Sequence, residues 1–185
     1  MRSVKRKHVL ALGIAVAVLL VAGPAFTDGL ERLEERLLGG AGDPGAAARP
    51  RVVDGDTFAL AGAGVTVRVA LVDAGESSAS RYGRPTCGGA EAKRFAEAWA
   101  DRHGSVRVRA VRGLPREDRY DRRLGRVVGA TGSDYGLAVV GRGWARVTVY
   151  EPPRGSGAVY LARLRAAEAG ARAGDRGGWG RCRWE

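Results

Sequence analysis

RVVDGDTFALAGAGVTVRVALVDAGE, residues 51–76, carries alternating apolar runs around one acidic turn. Val65, Val67, Val69 and Leu71 alternate with Thr66, Arg68 and Ala70. That period of two predicts a strand over Val65–Leu71 with Arg68 opposite the valine face. Arg51–Val53 and Thr57–Leu60 predict two more strands flanking Asp54-Gly55-Asp56-Thr57, and Ala61-Gly62-Ala63-Gly64 supplies a hairpin connection. Beyond a loop over Ser77–Gly89, Glu91–His103 is an amphipathic helix with Ala92, Phe95, Ala96 and Trp99 on one side and Gly104 as its stop. Strands are expected over Val106–Val111 and Leu124–Ala130, a short helix over Tyr135–Gly141, a strand over Ala145–Tyr150 and a last helix over Ala158–Arg172. This order predicts an α+β, mainly β fold: a small barrel with helices, of OB type.

Hydrophobic residues make up 45% of the 185, enough for one core and too many for global disorder. The net charge is +11, and it is still +7 without residues 1–25, which hold Arg2, Lys5, Arg6 and Lys7 and no acid. A basic domain favours a polyanion, nucleic acid before anionic lipid. Almost all the basic residues are arginines in a chain rich in Gly, Ala and Val, a bias a GC-rich genome also produces, so charge alone supports this weakly. Val9–Ala22 is apolar and precedes Gly23-Pro24-Ala25, the pattern of a secretory signal. The apolar stretch Val9–Phe26 has 18 residues, which also suits a membrane anchor, and both readings of residues 1–26 stay open. Either one places the rest of the chain outside the cytoplasm, secreted or membrane-anchored. Asp28–Leu38 reads as a short helix and Gly39–Pro50 as a linker, so the domain spans residues 51–185. Cys87 and Cys182 have no CxxC spacing, which argues against zinc. In an exported chain a disulfide is the natural assignment, with two free thiols as the alternative.

The chemistry concentrates in three strings: Asp54-Gly55-Asp56-Thr57, Arg68 with Asp73-Ala74-Gly75-Glu76, and Asp118-Arg119-Tyr120-Asp121-Arg122. Brought together, their carboxylates suit a hard divalent cation and their arginines a phosphate, bound fork to oxygen. His103, the only histidine after the apolar segment, argues against a histidine-metal nuclease. No GxSxG elbow points to a serine hydrolase. Taken with Ala90-Glu91-Ala92, Gly143-Trp144-Ala145-Arg146-Val147 and Gly178-Trp179, these strings resemble the staphylococcal-type thermonucleases over about Arg51–Trp179. The cysteine pair resembles that of the exported bacterial branch, where it is bridged.

The resemblance implies an OB-fold five-stranded barrel with three helices, here preceded by an N-terminal hydrophobic helix, and Ca²⁺-dependent hydrolysis of DNA and RNA. It implies cleavage on the 5′-O side to leave 3′-phosphates. Asp56, Asp73 and the Ala74 carbonyl would hold calcium, and Glu76 would act as general base. Arg68 and Arg122 would grip the scissile phosphate, and Arg119 and Tyr120 a neighbouring one. Tyr150 would stack on a base, while Asp54 and Thr57 shape the acidic turn. No obligate protein partner is implied, the expected state is a monomer, and membrane contact is confined to the N-terminal segment. Three departures stand out. Gly75 replaces a proline, which loosens the loop aiming Glu76. Asp121 replaces a glycine beside the phosphate grip, and one of two stacking tyrosines is missing. A catalytically inactive nucleic-acid-binding OB module is the alternative reading.

Overall fold

A computed structural model describes residues 47–60, 64–78, 84–182 and 184; the expected signal or anchor, and the helix and most of the linker after it, lie outside the described residues. Strands β1 (Pro50–Asp54), β2 (Thr57–Leu60) and β3 (Val65–Val69) form an antiparallel meander. β3 then runs parallel to β6 (Arg123–Gly129), which pairs with β5 (Val106–Arg109), giving the order β1-β2-β3-β6-β5. A separate two-stranded ribbon joins β4 (Val72–Ala74) to β7 (Ala145–Val147).

The expected closed barrel is not formed. Among the described residues the outer strands approach at one bridge pair, where Ala48 and Val106 exchange hydrogen bonds of 3.0 and 2.9 Å. Toward β1 the ladder stops there for a local reason. Continued in register, the next such pair would be Pro50 and Gly104; Pro50 has no N–H, and the Gly104 N–H is already committed to the Ala100 carbonyl. The strand predicted over Val65–Leu71 also breaks. Leu71 takes φ 63°, which turns the chain away from β6 and lets its carbonyl accept the Thr148 N–H.

Four helices are described where three were expected: α1 (Gly89–His103), α2 (Tyr135–Gly141), α3 (Ser156–Ala173) and the short α4 (Gly178–Arg181). Ala92, Ala96, Trp99 and Ala100 form the buried stripe of α1. Asp134 caps α2 by accepting the Leu137 N–H at 2.9 Å, and the same carboxylate takes Arg126 of β6 and the Tyr160 hydroxyl of α3. The β7 strand ends at Val147, short of the predicted Tyr150, and Glu168 of α3 takes the Val147 N–H. Tyr135 lies at the centre of the core, edge-on to Phe58 and Trp99. This mixed α and β fold with its five-stranded sheet is consistent with an OB-like architecture. Cys87, just before α1, is bonded to Cys182, just after α4.

Candidate active site

The acidic turn between β1 and β2 is packed from two sides. A Cβ on Gly55 would meet Ala92 of α1 at 2.6 Å and Ala74 of β4 at 2.8 Å, so the turn needs glycine and its neighbours must be small. The buried Tyr135 hydroxyl donates to the Gly55 carbonyl at 2.5 Å and fixes the turn from below. Asp56 is thereby held inside, where Thr57 Oγ1 donates to its Oδ1 at 2.9 Å and the Ala74 N–H to its Oδ2 at 2.8 Å. Asp54 bonds the Gly55 N–H at 2.8 Å and the Ser77 N–H at 3.3 Å, linking the turn to the loop that carries Glu76.

Arg68, on β3, gathers the carboxylates. Its Nη2 lies 3.0 Å from Asp56 Oδ2 and 2.9 Å from Asp73 Oδ1, while its Nη1 donates to the Val72 carbonyl. The left-handed Leu71 makes this possible, since it folds β4 back beside the side chain of β3. Burial pushes the Asp56 carboxyl above its ordinary range, against the pull of Arg68. Burial also raises Glu76, helped by the nearby charges of Asp54 and Asp56. Burial raises the Tyr135 phenol well above its ordinary value, with the Asp56 and Asp54 charges adding to it.

The structure thus brings together Asp54, Asp56, Thr57, Arg68, Asp73, Ala74 and Glu76. It adds Arg146 of β7, whose Nη2 stands 3.9 Å from Asp73 Oδ2. Four carboxylates face two guanidiniums here, an acidic excess that a divalent cation would neutralise. Among the described residues no group of three or more His, Cys, Asp or Glu is placed to hold an ion. Asp56 and Asp73 are hard oxygen donors brought to one guanidinium nitrogen, a donor chemistry that suits such an ion.

Arg122 and its neighbours occupy a different cleft. Asp118 accepts the N–H groups of Tyr120 and Arg122 with one oxygen and Arg122 Nε and Nη2 with the other, at 2.8 and 2.6 Å. Burial raises the Asp118 carboxyl, but these bonds outweigh it and hold the group below its ordinary range. Arg119 and Arg122 both stack on the Tyr120 ring, at 4.8 and 5.4 Å. Asp121 takes the left-handed φ of 59° that glycine would adopt, so the turn survives the substitution. Tyr120, Arg122, Arg123 and Glu117 line a cleft of about 300 Å³ with Thr66 of β3. Thr66 and Arg68 share a face of that strand, which connects the cleft to the carboxylate site. Tyr150 is 87% exposed beyond β7 and joins neither group.

Gly75 is closely packed. A Cβ there would meet Thr86 Oγ1 at 2.5 Å, and one on Gly89 would meet the Glu76 carbonyl oxygen at 2.0 Å. The Glu76 carbonyl is pressed against the start of α1 and accepts the Thr86 N–H from the segment that leads into that helix. Tyr135, Arg146 and the binding role of Asp118 were not read from the sequence. For Asp118 the spacing to Arg122 was a usable signal; the other two reach the site only through tertiary contacts.

This OB-like domain gathers carboxylates and guanidiniums at the turns of its sheet, in an architecture that binds oligonucleotides and oligosaccharides. Residues 66–181 match the family model of the staphylococcal nuclease homologues, and the chain belongs to that family. No curated protein matches the chain. The match takes in Arg68 through Arg122; Asp54, Asp56 and Thr57 precede it, and the Arg68–Asp56 contact joins the two parts.

Proposed function

We propose that the protein is an exported, calcium-dependent phosphodiesterase that hydrolyses DNA and RNA, cutting on the 5′-O side to leave 3′-phosphates. The observation that carries this is the meeting of Asp56 and Asp73 on one nitrogen of Arg68, with Glu76 alongside. A bound calcium ion would supply Lewis-acid charge beside the phosphoryl oxygen. Arg68 binds the scissile phosphate and stabilises the charge that builds on its equatorial oxygens. Glu76 takes the proton of the attacking water, a role its raised affinity for protons favours. Asp54 orients Glu76, Arg122 joins Arg68 on the scissile phosphate, and Arg119 and Tyr120 hold a neighbouring one. Tyr150 is available to a base only through solvent. The disulfide supports an oxidising compartment outside the cytoplasm, and nothing in this reading requires a second protein chain.

The alternative, a nucleic-acid-binding module without catalysis, draws on one observation. Arg122 is committed to Asp118, and its contacts do not extend to Asp56 or Asp73. Release of acid-soluble nucleotides from denatured DNA, with Ca²⁺ or with chelator, separates the two. Calcium-dependent release that collapses in Arg68→Ala and Glu76→Gln is expected of the enzyme. DNA binding without release in either buffer would leave the module.

A further inference from the structure

Arg146 has no role in the proposed chemistry, yet it is built into the site. In the β4–β7 ribbon it is the register partner of Asp73, so its side chain emerges beside that carboxylate. Arg68 takes one oxygen of Asp73 at 2.9 Å, and Arg146 stands 3.9 Å from the other. At that distance, with the arginine side chain 45% exposed, the pair is loose and holds Asp73 weakly. The other side of the guanidinium is better defined. It lies over the ring of Trp184, 5.4 Å from the centroid. Trp184 is in turn edge-on to Trp179 at 5.5 Å, and its ring lies against Gly178 of α4 and beside Gly88. A half-exposed arginine would not need so specific a seat merely to be solvated.

We propose that Arg146, backed by Trp184, is a further phosphate-binding guanidinium, contacting the nucleic-acid chain next to the phosphate held by Arg68. Stacking occupies the face of the guanidinium and leaves its edge of N–H donors for an anion. The ring fixes the plane of that edge, so less side-chain freedom is lost on binding. Arg68 and Arg146 flank one carboxylate, which places their charges as neighbours along a single strand. The inference rests on nucleic acid being the substrate, but not on its being cut.

Its test is equilibrium binding of a single-stranded oligonucleotide to the full chain in chelator, across a range of salt. Arg146→Gln should bind about fivefold more weakly, and its log K against log salt slope should be about 0.7 shallower, the change expected for one lost phosphate contact. Arg146→Lys keeps the charge, so its slope should match the parent. Its affinity should still fall about two- to threefold, since an ammonium lacks the planar fork. Trp184→Leu should lose affinity with an unchanged slope. A folded Arg146→Gln with parental affinity and slope would overturn the proposal, as would Arg146→Lys with full parental affinity. A residue that only holds Asp73 would change calcium dependence and kcat while leaving oligonucleotide binding in chelator untouched, and that pattern also overturns it. Arg146-dependent binding by a protein that releases no nucleotides would sink the hydrolase reading and leave this one standing.

Discussion

Glu76 is where the local electrostatics make the sharpest demand. Its carboxyl is raised from an ordinary value of about 4.5 by burial and by the charges of Asp54 and Asp56. Above that ordinary value the native state therefore holds more protons than the unfolded chain, and this group's contribution to stability falls as pH rises through the folded value. Glu76→Gln removes the repulsion. In chelator at pH 7 it should melt above the parent, and the gap should close toward pH 4, as thermal scans at the two pH values would show. In calcium the same variant should lose roughly 10²–10⁴ in turnover, the usual worth of a general base. A variant that is stabilised yet inactive is the signature of a strained functional group. Asp121 is the opposite case, strained without evident purpose. At φ 59° it holds a conformation costing an L-residue up to about 1–2 kcal/mol, less for aspartate, and it lines the cleft of Arg122. Asp121→Gly should stabilise the fold by about 0.5–1 kcal/mol in urea titrations, after allowing for glycine's greater freedom when unfolded. It should also tighten oligonucleotide binding at low salt, because one repelling charge leaves the cleft.

At the scale of elements, the periodic segments were readable and the redirections were not. The valine alternation of β3 and the alanine and tryptophan stripe of α1 specify their own structure, because each pattern buries one face. The break after Val69 could not be read, since Leu71 continues the alternation and carries no turn chemistry; only the pairing of β4 with β7 requires its positive φ. Sheet closure failed for the same kind of reason, a long-range meeting of Pro50 with an occupied Gly104. In the site, Asp56, Arg68 and Asp73 were legible as motifs, whereas Tyr135 and Arg146 arrive from distant segments. Gly89 shows how tightly elements set chemistry here. A Cβ there would meet the Glu76 carbonyl oxygen at 2.0 Å, so Gly89→Ala must push either the helix or the loop. About 1–3 kcal/mol of stability should be lost, as for other overpacked positions. Turnover should fall at least about tenfold with KM little changed, because a displacement near 1 Å suffices for that. Equal losses in Gly89→Ala and in a helix-surface control such as Glu97→Ala would argue against this coupling.

For the whole molecule, the Cys87–Cys182 bond joins segments 95 residues apart in sequence. Closing so long a loop limits the unfolded chain and should be worth roughly 4–5 kcal/mol in the chain-entropy model. That is a large part of the 5–15 kcal/mol by which domains are usually stable. Its position matters beyond the entropy. Cys87 lies between Thr86, which bonds the Glu76 carbonyl, and Gly88, the residue that caps the start of α1. Cys182 lies between α4 and Trp184, the ring behind Arg146. One bond therefore tethers both flanks of the site, the glutamate loop and the arginine seat. Cys87→Ser/Cys182→Ser should lower the urea midpoint by the equivalent of about 4 kcal/mol. Under conditions where the variant is still folded, it should also lose turnover and oligonucleotide affinity together. Reduction of the parent should reproduce both effects, and reoxidation should reverse them. A variant with the stability loss but parental turnover and affinity would reduce the bond to a brake on unfolding, leaving the site to be held by its own hydrogen bonds.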